Sequence, residues 1–324
     1  MVNNIILFNF IFIIILFFSS NLIAKLLNLY DIPDKRKIHK IPIPIVGGLV
    51  IYFTVFLNFI IFDYINFYIL LLSSFYFIIG LIDDAKKISA NLRLVSLSII
   101  TFIFLNYFNQ FSIKFLHFEG LGKIYLEGYS IIFTVLCILL FQNAMNMIDG
   151  LNGLSGSIFL IILIFILSKA GLEQDYLLLS ILLLIFLAFN LNNKVFLGDS
   201  GIYFLSVYLA LSLINISNND IIYTEEIFLI MMLPGIDMLR LFIIRITNKK
   251  NPFKPDKHHL HHLLSNKLNS NIKTLLVLLL IYSVPISLSL ITEIETFYLI
   301  IFGLISYFIL TYYLKGFKFY KNKK

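Results

Sequence analysis

The chain has one cysteine, Cys137, and no tryptophan. A lone cysteine excludes a disulfide framework within the chain and any metal site built on paired thiolates. Charge is scarce too: Asp, Glu, Lys and Arg make up 13% of the residues, where soluble domains carry about 25%. Glycine and proline number only 15 and 7 in 324 residues, and they gather into no linker. No repeat of obvious period is visible, so nothing divides the chain and residues 1–324 read as a single domain.

What fills the space is apolar. Hydrophobic residues reach 60%, and a membrane span needs about 20 of them in sequence, within a range of about 17–25. Eleven stretches qualify or nearly so: 5–24, 46–62, 67–82, 92–110, 130–147, 153–169, 176–191, 200–217, 225–246, 273–291 and 296–314. No Lys or Arg precedes the first stretch, and its apolar run outlasts a signal-peptide core of about 7–15 residues. It reads as a retained helix that enters from outside. The expected fold is all-α: a polytopic integral membrane protein of about eleven transmembrane helices, N-terminus outside and C-terminus cytoplasmic.

Charge placement supplies the orientation. Of the 25 Lys and Arg, 22 fall in alternate gaps together with the C-terminal tail, and only Lys114, Lys123 and Lys169 fall on the opposite side. The positive-inside rule makes the basic face cytoplasmic. It also accounts for the net charge of +7 without nucleic acid. Glutamate is missing from that face altogether. Its eight acids are all Asp (31, 34, 83, 84, 149, 199, 237 and 256), while all seven Glu lie on the other side.

The same alternate gaps carry five polar blocks: PDKRKIHK (Pro33–Lys40), DDAKK (Asp83–Lys87), NMIDGLNG (Asn146–Gly153), FLGDSG (Phe196–Gly201) and PDKHHLHH (Pro255–His262). Alternate gaps share a membrane face, so the blocks can meet there. Asp83 and Asp84 close the third span, where two carboxylates repel each other and oppose the helix dipole. They call for a cation or strong hydrogen bonding. Asn146, Asp149 and Asn152 recur every three residues and would share one face of a helical turn. Asp199 opens the eighth span, where a helix N-terminus can hold phosphate. GDSG also occurs in serine proteases, but membrane context argues against that chemistry. His258 and His262 stand four apart, as zinc ligands do, yet the Glu that the metalloprotease pattern requires is replaced by His259. With the neighbouring lysines the block suits phosphates better. Oxygen-only ligation by Asp suits magnesium, which takes one or two carboxylates plus substrate phosphates. The combination points to phosphoryl transfer between a soluble diphosphate and a lipid acceptor.

The motifs GLIDD (Gly80–Asp84), NMIDGLNGL (Asn146–Leu154), FLGDSG and PDKHHLHHLL (Pro255–Leu264), in that order between spans, resemble those of the polyprenyl-phosphate N-acetylhexosamine-1-phosphate transferases. The resemblance extends over nearly the full length. It implies transfer of sugar 1-phosphate from a UDP-sugar to undecaprenyl phosphate with release of UMP, at the inner membrane of a bacterium. By the family pattern Asp199 is the main magnesium ligand and Asp83 assists it, with manganese able to substitute. Asp84 completes the acidic set. Asn146, Asp149 and Asn152 match the nucleotide pocket, with Asn190 beside them, and Lys257, His258, His261 and His262 match contacts to the diphosphate or sugar. A homodimer is compatible with the pattern.

The sequence departs from that pattern at Ile45, Lys87, Asn192 and Asn193. The histidine block is more similar to the GlcNAc-1-phosphate branch than to the phospho-N-acetylmuramoyl-pentapeptide transferases, the alternative within the family. LPGIDMLRLF (Leu233–Phe242) resembles enzymes that start O-antigen-like surface polysaccharides. A transporter is the alternative from another class; its site would be expected near the bilayer midplane between repeated halves.

Overall fold

The computed structural model describes residues 11–33, 41–249 and 258–315. Residues 11–18 are helical and lead into α1 (Ser20–Leu27), followed by β1 (Tyr30–Asp31), β2 (Ile43–Pro44), α2 (Gly47–Ile61), α3 (Phe67–Lys86) and α4 (Ala90–Tyr107). After a hairpin of β3 (Phe115–Phe118) and β4 (Gly122–Tyr125) come α5 (Ser130–Ile148), α6 (Leu154–Ala170), α7 (Gln174–Asn190) and α8 (Gly198–Asn218). The chain continues through α9 (Thr224–Thr247), α10 (Leu260–Leu268), α11 (Asn271–Ile291) and α12 (Thr296–Lys315). Ten of the eleven expected spans coincide with α2–α9, α11 and α12. The first falls partly outside the described residues. The protein is an all-α polytopic membrane protein with little sheet among the described residues.

Among the described residues, seven helices are long and apolar enough to cross a bilayer unaided. Their apolar residues run all round rather than along one stripe, because lipid and neighbouring helices both accept them. Ile99, Phe102 and Ile103 of α4, and Leu276 and Leu280 of α11, are about half exposed, which suits hydrocarbon and not water. Pro234 and Pro285 sit inside α9 and α11, as transmembrane helices tolerate when neighbours support the freed backbone.

The centre is α8. Tyr203, Phe204, Val207, Tyr208 and Leu211 are fully buried, with α2, α3, α5 and α6 packed around the helix. On a second flank α9, α11 and α12 pack on one another, and the short α10 lies against α11 and α12. Within HHLHHLLSNKL the residues from Leu260 onward form α10. The β3–β4 hairpin pairs Phe115 with Tyr125 and His117 with Lys123. Asp220 ties it down through Lys123 at 2.6 Å and His117 at 3.1 Å.

The three short helices α2, α6 and α7 have 15, 17 and 17 residues. At 1.5 Å per residue they span only about 22–26 Å, less than the ~30 Å of hydrocarbon. Each has one end beside the same recess, whose lining includes Ile45, Asn152 and Asn190. Four of the five polar blocks meet at that recess. Of the first block, residues 34–40 lie outside the described residues, as do Pro255–Lys257 of the last.

Candidate active site

Glycines set the spacing around the start of α8. A Cβ on Gly80 of α3 would lie 2.5 Å from the Cα of Ser200, and one on Gly48 of α2 would lie 2.2 Å from the Cα of Gly201. Backbones therefore touch where side chains would hold them apart. Gly198 has φ +79°, a conformation that favours glycine. This close approach brings Asp84, in the last turn of α3, to the first turn of α8. Its Oδ1 accepts from the backbone N–H of Asp199 at 2.7 Å and its Oδ2 from that of Ser200 at 3.0 Å. A carboxylate disfavoured by the dipole of its own helix is thus stabilised at the positive end of another.

Asp83 is held differently. Its Oδ1 accepts from the N–H of Ile88 at 2.7 Å, and its Oδ2 accepts from Arg93 at 3.1 Å and Tyr203 at 3.0 Å. The Arg93 guanidinium also lies over the Tyr203 ring, 5.6 Å from its centroid. Asp199 has no such partners: among the described residues its carboxylate takes no hydrogen bond, and it faces the recess. Of the two carboxylates expected to hold magnesium, Asp199 is the one left open and Asp83 is engaged by protein donors. No group of three His, Cys, Asp or Glu able to hold a metal occurs among the described residues. One open carboxylate still fits magnesium, which completes its shell with water and substrate phosphates.

The NMIDGLNG block lines the opposite wall. The shared helical face expected for Asn146, Asp149 and Asn152 does not form, because α5 ends at Ile148 and Gly153 turns the chain at φ +83°. All three nevertheless line the recess, two of them from the turn. Ser155 Oγ donates to Asp149. Asp149 is exposed toward the cleft, yet protein crowding its carboxyl raises the pKa to about 6, with the Ser155 bond opposing the shift. Asn152 donates to the side chain of Asn193 at 2.7 Å. Asn190 is a brace as well as a lining residue: it accepts from Gly153 N–H at 2.6 Å and donates to the Val195 carbonyl at 2.9 Å.

The histidines divide. His262 lines the recess together with Asn271. His258 is exposed and precedes α10, so the expected i, i+4 pair does not share a helix. His261 is buried, and among the described residues neither ring nitrogen has a hydrogen-bond partner. Burial, then the neighbouring His262 and His259, push its pKa down to about 3. Its Nε2 lies 2.3 Å from where a Gly150 Cβ would be, so the ring rests on that turn. Lys257 lies outside the described residues. Arg93, Tyr203 and the buried His259 were not anticipated. Arg93 carried one signal, as the only charged residue within the fourth span.

The recess encloses about 420 Å³, within the ~300–1,000 Å³ of ligand pockets. Asp31, Asp83, Asp84, Asp149 and Asp199 line it with Lys87 and several Asn. It opens at helix ends and not midway along them, unlike a transporter site. The family model described as glycosyl transferase family 4 matches residues 66–217. A Thermotoga maritima protein named undecaprenyl-phosphate alpha-N-acetylglucosaminyl 1-phosphate transferase is 32% identical over 271 residues, covering 82% of this chain and 83% of its own.

The chain belongs to glycosyl transferase family 4.

A Bacillus subtilis relative, named a probable undecaprenyl-phosphate N-acetylglucosaminyl 1-phosphate transferase, is 32% identical over 258 residues, 74% of this chain and 70% of its own. An Escherichia coli K12 relative with the Thermotoga protein's name is 25% identical over 273 residues, 79% and 74% of the two chains. As a member of family 4 the chain is an enzyme, a phosphotransferase. The matched region supplies most of the recess wall, Asp83, Asp84, the 146–153 turn and Asp199 included.

Proposed function

We propose that this family 4 enzyme transfers N-acetylhexosamine 1-phosphate from a UDP-sugar to undecaprenyl phosphate at the cytoplasmic face of a bacterial inner membrane, releasing UMP. The product would begin a surface polysaccharide of the O-antigen kind. The curated relatives, named for sugar 1-phosphate transfer to undecaprenyl phosphate, support the reaction class. The observation that carries the reading is the unpartnered Asp199 carboxylate at the helix N-terminus, facing a polar recess at the end of an apolar bundle.

Asp199 would hold magnesium, which when bound neutralises diphosphate charge. The protein's own groups then bind and orient. A phosphate monoester with second pKa near 6 is already largely ionised at neutral pH. Its oxygen attacks the sugar-bearing phosphorus, a new P–O bond forms, and the bond from that phosphorus to the bridging oxygen breaks. UMP departs with that oxygen. No proton need be removed, so positioning and charge neutralisation dominate. Asp84 aims the first turn of α8, Arg93 offsets the charge of Asp83, and Asn146, Asp149 and Asn152 offer hydrogen bonds to the nucleotide.

The test is UMP release by the purified chain supplied with undecaprenyl phosphate, magnesium and a panel of UDP-sugars. Asp199→Asn should abolish it. Folded protein that releases no UMP with any donor would overturn the proposal.

A further inference from the structure

A buried polar cluster lies behind the recess and contributes nothing to its lining. Its centre is Asp237 of α9, 3% exposed. Asp237 Oδ1 accepts from Arg240 at 2.7 Å, from the Tyr307 hydroxyl of α12 at 2.8 Å and from the N–H of Leu260 at 3.2 Å. Its Oδ2 pairs with His259 Nδ1 at 2.9 Å. Arg240 also donates to Tyr307 at 2.6 Å and to the carbonyl of His258 at 2.8 Å. One carboxylate thus gathers two membrane helices and the start of α10.

From this cluster a chain of contacts reaches the recess. The His259 ring stacks on His261 with centroids 5.5 Å apart and planes 17° from parallel. His261 lies against His262 at 4.2 Å and rests on the Gly150 backbone. Gly150 is flanked by Asp149 and Leu151, and all three line the recess.

We infer that Asp237 is a positioning residue: through His259 and His261 it seats the histidine block on the Gly150 turn and so sets the wall formed by Asp149 and Asn152. It touches no recess atom, so its effect is on geometry and not on reacting groups. A carboxylate is required because every neighbour is a donor. Asparagine would turn an N–H₂ group toward His259 or Arg240 and set donor against donor. Tyr307 makes the C-terminal helix part of the device. The kinetic consequence rests on the sugar-phosphate transfer proposed above; the structural consequence does not.

The test compares full-length wild type, Asp237→Asn and Tyr307→Phe in the same detergent. Diethylpyrocarbonate acylates accessible imidazoles, and mass spectrometry reads each histidine. His117, on the β3–β4 hairpin, is the internal reference. In the wild type His259 and His261, 6% and 3% exposed, should react slowly. Asp237→Asn should raise their rates on the order of tenfold, the effect of losing one charge-assisted hydrogen bond, with His117 unchanged. Tyr307→Phe should raise them less. In UMP release, KM for the nucleotide sugar should rise about tenfold while kcat moves by less than about threefold, a split expected when binding geometry is lost.

Wild-type labelling in Asp237→Asn would overturn the inference. So would a parallel rise at His117, which would make Asp237 a general support of the fold. If Asp237→Asn does not fold, unchanged labelling in Tyr307→Phe overturns it. Absence of UMP release from wild type would sink the proposed reaction and leave the labelling result standing.

Discussion

Gly80→Ala isolates the contact that aims Asp199. The new Cβ would meet Ser200 Cα at 2.5 Å, Ser200 N at 2.6 Å and the Asp199 carbonyl carbon at 2.7 Å, whereas ordinary contact begins at 3.4 Å. These are backbone atoms and cannot swing away, so α3 and α8 must separate by about 1 Å. The Asp84 bonds, now 2.7 and 3.0 Å, would then lengthen beyond the ~3.2 Å usual for N–H···O bonds. Overpacking costs about 1–3 kcal/mol and loss of a helix cap about 0.5–2 kcal/mol. Alanine's better helix propensity returns at most ~1 kcal/mol. The net destabilisation is roughly 0.5–5 kcal/mol, from the difference of those three terms. Gly235→Ala is the control, because nothing lies within 4 Å of its Cβ position. Thermal unfolding followed by circular dichroism at 222 nm compares the two in one detergent, and UMP release reports on Asp199. Gly80→Ala should melt lower and lose most activity, while Gly235→Ala should match or exceed wild type. Equal melting with full activity in both would refute the reasoning.

His261 should shape the acid limb of stability. Its folded pKa of about 3 lies below the ordinary 6.5, so only the unfolded chain binds a proton between them, and stability present above pH 6.5 is lost as pH falls. Between pH 7.5 and 5.5 that loss is about 1.4 kcal/mol; His261→Leu should melt with a correspondingly flatter pH dependence, and an unchanged slope would contradict the burial argument. Asp149 has the opposite sign: its raised pKa of about 6 is a penalty on the charged form that grows as pH rises. Asp149→Asn should therefore melt higher than wild type at pH 8, with the gap closing toward pH 4, while UMP release falls. Asn190→Ala leaves the Gly153 N–H and the Val195 carbonyl without their partner, at about 1–3 kcal/mol each. Lower stability in chemical denaturation and reduced activity should follow, and a neutral result would remove Asn190 as the brace between the two turns.

Much of the architecture is legible in the sequence. Ten apolar helices and the meeting of Asp83, Asp84, the 146–153 turn and Asp199 follow from apolar run length and the alternation of polar blocks. A bilayer imposes these patterns locally: each span must supply its own apolar surface, and each polar block must sit at a helix end. The helical face expected for Asn146, Asp149 and Asn152 did not form, since glycine at positive φ broke the turn. Position along the chain cannot show which carboxylate is spent on protein donors. Asp83 and Asp84 are neighbours, yet one accepts from Arg93 and Tyr203 while the other caps a helix that begins 114 residues later.

The sequence by itself determined that the protein is an all-α polytopic membrane protein whose polar blocks gather at helix ends, because hydrophobic length and charge placement act within each segment. Only the tertiary structure decided that Asp199 stays open while Asp83 and Asp84 are engaged. It alone placed His259 on Asp237 and His261 over Gly150. Those outcomes depend on backbones touching at Gly48 and Gly80, on the His261 ring resting on Gly150, and on hydrogen-bond partners far apart in the chain.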